Sequence, residues 1–428
     1  MTIHVVSAGD TIYTIAEQYN IPVRQLMENN AITNPNLLTL GQALLILQPE
    51  QTYLVQPGDG LFSIAQKFGV SENKLLQNNP QLAALGALYP GQTLIISFKD
   101  SSTDNYWVNG YAYPYIDPII LNQTTPYLTF LSVFSYGFYP DGTLIPPDDK
   151  SLLLAAKEYE AAPILVLTPL DEKEKFSNNL ITQMVNNPAA RENLINNLLT
   201  VMAQKGYYGV DVDFEFVLPA DKEGFISFIS QLKTAMSAAG YKVFVALAPK
   251  TSAAQSGLLY EAHDYKRIGE IADYIFLMTY EWGYAYGPPM AVAPLNKMRE
   301  VFDYAIQEIP PEKIIMGVPN YGYDWTLPFQ RGEGRAITLG NEEAVQMAMN
   351  IRAEILFDEV GQSPYFFYTD PEGSAHVVWF EDARSIEAKI NTAKEYGFIG
   401  LGYWNIMRPF VQNWMQVANA FDIEKFGE

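Results

Sequence analysis

The chain has 428 residues, 48% of them hydrophobic, so it can bury a sizeable core spread over two or three domains. It carries 27 Lys and Arg against 48 Asp and Glu, and the formal charge of −21 disfavours nucleic acids and anionic membrane surfaces as partners. The absence of cysteine excludes disulfides and thiolate metal sites, and the 3 histidines are scattered, so we predict neither a metal nor a cofactor.

The N-terminal residues lack the basic region and the long apolar region of a secretion signal. The chain also contains no uncharged apolar run of about 18 residues, the length that crosses a bilayer as a helix. We therefore expect a soluble, monomeric protein without a signal peptide or a membrane span.

The N-terminal region contains two copies of one short module. The segment Val6–Thr11 recurs as Val55–Gly60, and the Asn-Asn and Gly-Gln pairs that follow the first segment recur after the second. Each copy predicts a strand, a Gly-Asp turn, two helices and a closing strand, which together make a βααβ unit. We expect modules at residues 1–48 and 51–98, and the polar segment 99–105 predicts a linker after them.

Both copies resemble LysM modules, a family that binds glycans containing N-acetylglucosamine, such as peptidoglycan and chitin. The resemblance implies a sugar groove between the loop after the first strand and the loop before the closing strand. The implied glycan-binding residues are Gly9, Asp10, Thr11 and Ile32 in the first copy and Gly58, Asp59, Gly60 and Leu82 in the second. For the side chains of Asp10 and Asp59 we favour capping of the following helix, so that the neighbouring backbone would contact the glycan.

Beyond residue 105, short apolar segments alternate with stretches of helical periodicity such as Arg191–Ala203, Lys222–Ala239 and Pro294–Ile309. Eight strands with interleaved helices are typical of an α/β protein with a parallel (β/α)8 TIM barrel, here residues 106–428. The predicted strands are Trp107–Tyr111, Leu128–Tyr136, Ile164–Leu167, Gly209–Phe216, Val243–Ala248, Tyr274–Tyr280, Ile314–Pro319 and Ile399–Trp404.

The interval between the seventh and eighth predicted strands is too long for a single crossover. It holds two further strand-like segments, Tyr365–Tyr368 and His376–Phe380. We therefore predict a small α+β insertion at about residues 322–390.

The fourth predicted strand carries three acids at alternating positions. Asp211, Asp213 and Glu215 share one face, whereas Val210, Val212, Phe214 and Phe216 share the other. Carboxyls at i and i+2 lie roughly 6.5 to 7 Å apart on a strand and raise one another's proton affinity, which suits an acid catalyst. Taken alone, the pattern fits a half-buried strand with a solvated acidic face equally well.

The other predicted strand ends decide between these readings. Strand six ends in Met278-Thr279-Tyr280-Glu281, strand seven is followed by Asn320-Tyr321, and strand eight ends in Trp404. With the acids, these motifs resemble glycoside hydrolase family 18, the chitinase-like enzymes. Tyr208 stands where the family's fuller signature has another aspartate, and the acid after Met-x-Tyr, often Asp in the family, is Glu281.

The family resemblance implies retaining, substrate-assisted hydrolysis without a cofactor. Glu215 would protonate the glycosidic oxygen, Asp213 would orient the substrate's 2-acetamido group, and Tyr280 would donate to the acetamido oxygen. Asp211 would share a proton with Asp213. The candidate substrate contacts are Trp404, as the floor beneath the −1 sugar, Met278, Tyr321, Glu281 and Tyr208, with core packing as the alternative for Met278 and Tyr321.

Two LysM-like modules before a short family-18 barrel resemble the spore cortex-lytic N-acetylglucosaminidases of the SleL and YaaH type. We therefore expect hydrolysis of peptidoglycan after N-acetylglucosamine, in the spore cortex or coat or the cell wall of a spore-forming bacterium. Two alternatives remain open. A chitinase would use the same residues on chitin, and a non-catalytic glycan-binding protein is disfavoured by Glu215 but kept open by Tyr208.

Overall fold

The computed structural model describes residues 1–85, 88–171, 175–332 and 334–426. Each N-terminal module is the predicted βααβ unit, with two antiparallel strands covered by helices, and the second module adds a short helix. The first module consists of strands Thr2–Val5 and Ala43–Ile46 and helices Ile12–Tyr19 and Val23–Asn29. The second consists of strands Pro49–Leu54 and Thr93–Phe98 and helices Leu61–Phe68, Glu72–Asn78 and Gln81–Leu85.

The Gly-Asp turns differ from the prediction, because the aspartates do not cap the helices. Thr11 is the N-cap of the first helix, and Gly60 holds the equivalent position in the second module. Asp10 and Asp59 instead each accept the backbone N–H three residues earlier over 2.7 Å, which closes the turn on itself. The capping role passes to the next residue because the helix begins one position later than the motif suggests.

Eight parallel strands close a barrel, as predicted, and the first strand pairs with both the second and the eighth. The strands are Asn105–Ala112, Phe130–Phe138, Ala162–Leu167, Gly209–Val212, Lys242–Leu247, Tyr274–Leu277, Ile314–Pro319 and Gly400–Trp404. The surrounding helices are Pro118–Thr124, Lys150–Glu158, Asn178–Val185, Pro188–Lys205, Lys222–Ala238, Tyr265–Ile271, Leu295–Glu308, Ala383–Tyr396 and Val411–Ala420. Short strands at Leu144–Ile145 and Asp422–Ile423 and 3-10 turns at Thr125–Tyr127, Pro219–Asp221 and Pro311–Lys313 complete the barrel domain. Its predicted end, residue 428, lies outside the described residues.

Two barrel strands end three or more residues earlier than predicted. The fourth ends at Val212 rather than Phe216, and the sixth ends at Leu277 rather than Tyr280. The alternation of apolar and polar residues continues past the point where the chain leaves the ladder. Phe216, predicted on the buried face, is therefore 41% exposed, whereas Val210 and Val212 pack against the helices.

The insertion between the seventh and eighth strands is a five-stranded antiparallel sheet with one helix, Asn341–Ile351. Its strands in spatial order are Ile337–Leu339, Gly322–Leu327, Ala375–Trp379, Ser363–Thr369 and Leu356–Asp358. Ile386 and Ile390 of the next helix belong to the barrel core. The insertion thus ends near residue 379 rather than 390, because the apolar face of that helix covers the barrel.

The last barrel helix, Val411–Ala420, lies between the barrel and both modules. Met415 packs with apolar residues from the closing strands of the two modules. The side-chain amide of Gln412 donates to Asn30 Oδ1 of the first module over 2.7 Å, and Lys74 Nζ of the second donates to the carbonyl of Ala418 over 3.1 Å. The modules are therefore bound to the barrel surface rather than only tethered to it.

The first module also contacts the insertion. Thr39 Oγ1 donates to the carbonyl of Ala353 over 2.6 Å, and the N–H of Ile355 donates to the carbonyl of Leu40 over 2.9 Å. Gly41 has φ +75°, and a Cβ placed on it would lie 1.8 Å from the carbonyl oxygen of Ile355. Glycine is thus required there both by its backbone conformation and by the close approach of the insertion.

Candidate active site

A cavity of about 360 Å³ opens at the C-terminal end of the barrel strands, where the parallel arrangement gathers residues from distant parts of the chain. It combines three carboxyls with an apolar wall, as expected of a site that holds and cleaves a sugar. The lining residues are Tyr111, Asp213, Glu215, Ala246, Pro249, Leu259, Tyr260, Phe276, Met278, Tyr280, Glu281, Trp282 and Trp404.

Asp211 lies deepest of the three acids and is 1% exposed. Its Oδ2 accepts the hydroxyl of Tyr111 over 2.6 Å, and its Oδ1 has no hydrogen-bond partner among the described residues. Burial raises the pKa of Asp211 to about 6, although the Tyr111 hydrogen bond acts in the opposite direction. This carboxyl can therefore take up or release a proton near neutral pH.

Asp213 follows the end of the strand, and its N–H still donates to the carbonyl of Leu167 on the third strand over 3.0 Å. Burial, followed by the charges of Glu215 and Asp211, raises the pKa of Asp213 well above its ordinary value. Its Oδ1 is buried without a hydrogen-bond partner in the part of the chain that the structure describes. Such a buried acceptor is costly unless a ligand satisfies it.

Glu215 lies in the turn after the fourth strand and lines the cavity. Burial and the nearby charge of Glu281 raise its pKa, which favours the protonated form that a general acid requires. The sequence placed Asp211, Asp213 and Glu215 on one face, and the electrostatic coupling of Asp213 to both of the others is consistent with that row.

Glu281 is held by two tyrosines of the insertion side. The hydroxyls of Tyr321 and Tyr323 both donate to its Oε1, the latter over 2.9 Å. Burial raises the pKa of Glu281 and these two hydrogen bonds oppose the rise. Its φ of 69° lies in the left-handed region, which costs a non-glycine residue roughly 1 kcal/mol and fixes the direction of the side chain. Tyr321 thus acts on the cavity through Glu281 and is itself 6% exposed.

The aromatic residues predicted at the strand ends also reach the cavity. Burial, then the charges of Asp213 and Glu215, raises the pKa of Tyr280, so its hydroxyl remains a donor. Met278 lines the wall at 9% exposure, which fits both packing and contact with a ligand. The ring of Trp404 lies 4.7 Å from that of Phe134 and presents an apolar surface to the cavity.

Tyr208 does not belong to this site, which corrects the prediction of a substrate contact. It precedes the fourth strand and so lies at the N-terminal end of the barrel, opposite the cavity. Its ring stacks on Phe426 at 5.2 Å and lies 5.6 Å from Phe130. An aromatic layer therefore occupies the region below Asp211.

Sequence reasoning missed several residues of the cavity. Tyr111, the partner of Asp211, ends the first predicted strand, so its position at a strand end was an available signal. Tyr260 lies in the loop after the fifth strand, where sequence periodicity gave no indication, whereas Trp282 directly follows the strand-six motif that the sequence did single out.

The predicted glycan-binding residues of the modules have mixed placements. In the second module, Asp59, Gly60 and Leu82 line a groove of about 760 Å³, although the side chain of Leu82 is only 5% exposed and packs in the core of the module. In the first, Ile32 is 5% exposed and packs in the core of the module, so little of its side chain is available to a ligand. Gly9 and Gly58 have φ of +95° and +92°, which glycine adopts readily in the turn.

A TIM barrel with a row of carboxyls and an aromatic cavity at its C-terminal end is an arrangement typical of glycoside hydrolases. The family model of glycosyl hydrolases family 18 matches residues 173–408, more than half of the chain, and the LysM domain model matches residues 4–46 and 53–97. The chain therefore belongs to glycoside hydrolase family 18 and carries two LysM domains.

The chain is similar along its whole length to enzymes of spore-forming bacteria. It is 39% identical to the cortical fragment-lytic enzyme of Bacillus subtilis (strain 168) and 38% identical to that of Bacillus anthracis, with 99% of each chain covered in both comparisons. The crystal structure of the Bacillus megaterium QM B1551 spore cortex-lytic enzyme SleL matches with a TM-score of 0.84 at 37% identity, covering 99% of this chain and 98% of that one.

Proposed function

We propose that the protein is an N-acetylglucosaminidase that hydrolyses spore-cortex peptidoglycan after N-acetylglucosamine, by a retaining, substrate-assisted mechanism. The similarity to cortical fragment-lytic and spore cortex-lytic enzymes over the whole chain supports the substrate. The enzyme would act as a monomer in the cortex, coat or wall of a spore-forming bacterium. In the described residues, no helix is long and apolar enough to cross a membrane.

The observation that carries the mechanism is the buried Oδ1 of Asp213, which has no hydrogen-bond partner among the described residues and lies beside Glu215. An acetamido N–H would supply the donor that this oxygen lacks. Held in that way, the acetamido oxygen would attack the anomeric carbon while Glu215 protonates the leaving oxygen. The cyclic oxazolinium intermediate is positive, and the carboxyl of Asp213 would stabilise it.

The remaining residues would orient the substrate. Tyr280, kept protonated, would donate to the acetamido oxygen, and Trp404 would support the apolar face of the −1 sugar. Asp211 would exchange a proton with Asp213 as the charge on the acetamido group develops. Glu281 and Met278 would complete the wall around the sugar.

The modules would bind the same polymer and keep the barrel close to further bonds, which raises the effective substrate concentration. Because they are bound to the barrel through the helix Val411–Ala420, their grooves would keep a fixed orientation relative to the active site. The backbone turns at Gly9 and Gly58 and the groove at Leu82 are the contacts that we propose for glycan.

The test compares wild-type protein with Glu215→Gln on purified spore-cortex peptidoglycan. The products are reduced with borohydride, and the reduced terminal sugar is identified by mass spectrometry. We expect reduced N-acetylglucosamine ends from the wild type and a loss of activity of about 10²- to 10⁴-fold in Glu215→Gln. Glu223→Gln, which changes an exposed glutamate on a barrel helix, is the matched control and should retain activity.

Both variants should still sediment with the polymer, since the modules are unchanged. Reduced muramic ends would contradict the proposed bond specificity. The absence of new ends from wild-type protein that still sediments with the polymer would contradict hydrolysis of this substrate, and chitin oligomers would then be the next substrate to assay.

A further inference from the structure

A buried histidine connects the backbone between two of the active-site acids to the neighbouring strand. His263 is 1% exposed and lies in the loop after the fifth barrel strand. Its Nε2 lies 3.0 Å from the carbonyl oxygen of Phe214, the residue between Asp213 and Glu215. Its Nδ1 accepts the N–H of Ala248, just past the end of the fifth strand, over 2.9 Å.

These two partners define the proton arrangement of the ring. The N–H of Ala248 can only donate and the carbonyl of Phe214 can only accept, so the neutral tautomer with hydrogen on Nε2 satisfies both. Burial lowers the pKa of His263 to about 4, with the nearby charge of Lys250 acting in the same direction. The ring is therefore neutral, and both hydrogen bonds persist, across the range in which the acids titrate.

The loop that carries His263 is itself fixed against the fifth strand. Lys250 Nζ donates to the carbonyl of His263 over 2.9 Å, and the hydroxyl of Tyr265 donates to the carbonyl of Ala248. The ring of Phe225 lies 6.3 Å from the imidazole and is inclined to it by 30°. The imidazole therefore has little freedom to turn away from either hydrogen-bond partner.

On the basis of the catalytic roles proposed above, we infer that His263 is a positioning residue that holds Asp213 and Glu215 at their working separation by clamping the peptide between them to the fifth strand. The fourth strand ends at Val212, so sheet pairing alone does not fix the backbone of Phe214 and Glu215. The histidine replaces the missing ladder contact with a side-chain hydrogen bond. Pro249, which follows the histidine's other partner Ala248, lines the cavity. The same histidine therefore aligns the wall that carries Glu215 with the wall that carries Pro249.

Two substitutions separate the two hydrogen bonds. In His263→Asn the amide oxygen can still accept the N–H of Ala248, but the donor to Phe214 is lost; in His263→Gln the longer amide can place its N–H near the Nε2 position. The assay measures kcat and KM between pH 4 and 9 on soluble glycan fragments of spore-cortex peptidoglycan. We expect kcat to fall roughly 10- to 100-fold in His263→Asn because small displacements of catalytic groups carry such costs.

KM should change by less than about threefold in His263→Asn, since the binding surface is intact, and its kcat–pH profile should move because the spacing of the acids changes. His263→Gln should keep kcat within about threefold of the wild type and keep the wild-type profile. The control is His376→Asn, which removes a buried histidine bonded to Asp324 over 2.9 Å in the insertion. It should lower the melting temperature without moving the profile.

Equal kcat in His263→Asn and the wild type would overturn the clamp. So would equal losses in both His263 variants with unmoved profiles and lowered melting temperatures, because that pattern marks a purely structural role. If His263→Asn does not fold, a folded His263→Gln with a kcat loss above about tenfold would overturn it. A wild-type protein without activity on the fragments would refute the proposed function, and the positioning role with it.

Discussion

The hydrogen bond between Tyr111 and Asp211 lowers the proton affinity of this buried acid, and Tyr111→Phe removes it with little change in shape. The two residues are 100 positions apart in the sequence, and the hydroxyl donates over 2.6 Å to a carboxyl whose other oxygen has no partner in the described residues. The phenylalanine ring keeps the packing of Tyr111 against Phe276 and Trp404. The substitution therefore isolates one hydrogen bond.

The magnitude follows from the charge of the acceptor. A hydrogen bond to a charged group is worth about 1.5 to 3 kcal/mol, which corresponds to roughly one to two pH units. This bond lowers the pKa of Asp211 against the effect of burial, so its loss should raise that pKa from about 6 to about 7 or 8. Asp211 would then be largely protonated at neutral pH, and its charge would no longer raise the pKa of Asp213 as strongly.

The assay is the pH profile of kcat/KM on soluble cortex fragments for the wild type, Tyr111→Phe and a control. If Asp211 and Asp213 work with one shared proton, the acid limb of the kcat/KM profile reports the first deprotonation of this pair. In Tyr111→Phe that limb should move to higher pH by roughly one to two pH units. Tyr106→Phe removes another buried hydroxyl of the same strand, one without a partner in the described residues, and should leave the limb in place. If Tyr111→Phe is active and the acid limb of its profile coincides with that of the wild type, the hypothesis of a shared proton is refuted.

Two further substitutions test the surroundings of the site. Glu281→Gln removes a charge that raises the pKa of Glu215, so the basic limb of the kcat profile should shift to lower pH; an unmoved limb would show that Glu215 is not the titrating acid. Gly41→Ala places a Cβ against the carbonyl of Ile355, whereas Gly91→Ala, at a similar φ in the second module, meets nothing within 4 Å. Thermal unfolding should show a loss of about 1 to 3 kcal/mol more for Gly41→Ala, and equal losses would contradict the docking of the first module on the insertion.

The contacts of the last barrel helix bear on how the modules would assist the proposed hydrolysis. A flexible tether would let the grooves sample many orientations, but hydrogen bonds from Gln412 and to Ala418 hold the modules against the barrel. Polymer bound to a module can then reach the cavity only along directions that this arrangement permits. Modules separated from the barrel should therefore still bind glycan but should no longer direct where the barrel cleaves it.

The periodicity of the sequence was sufficient for the fold class and for the row of acids. Strand alternation placed Asp211, Asp213 and Glu215 together, and the ends of the sixth and eighth strands correctly brought Tyr280 and Trp404 to the cavity. The internal repeat predicted two modules, and the structure contains them. These features depend on local patterns of two to four residues, which a single sequence displays directly.

The sequence could not determine at which residue a strand stops pairing with its neighbours in the sheet. It also could not determine which hydrogen-bond partners the polar residues beyond that point have. Tyr111 reaches Asp211, and His263 reaches Phe214, only because closure of the barrel brings separate strand ends together. Tyr208, despite its place in the signature, lies at the opposite end of the barrel because it precedes the fourth strand.

Asp10 and Asp59 illustrate the same limit at short range. Their motif suits a helix cap, but the backbone N–H of the turn competes successfully for each carboxylate. The sequence by itself therefore determined the candidate catalytic residues and the barrel strands that they lie on or follow. Tertiary structure alone decided their partners, and hence their proton affinities, because burial and hydrogen bonding are properties of the closed barrel and not of the chain.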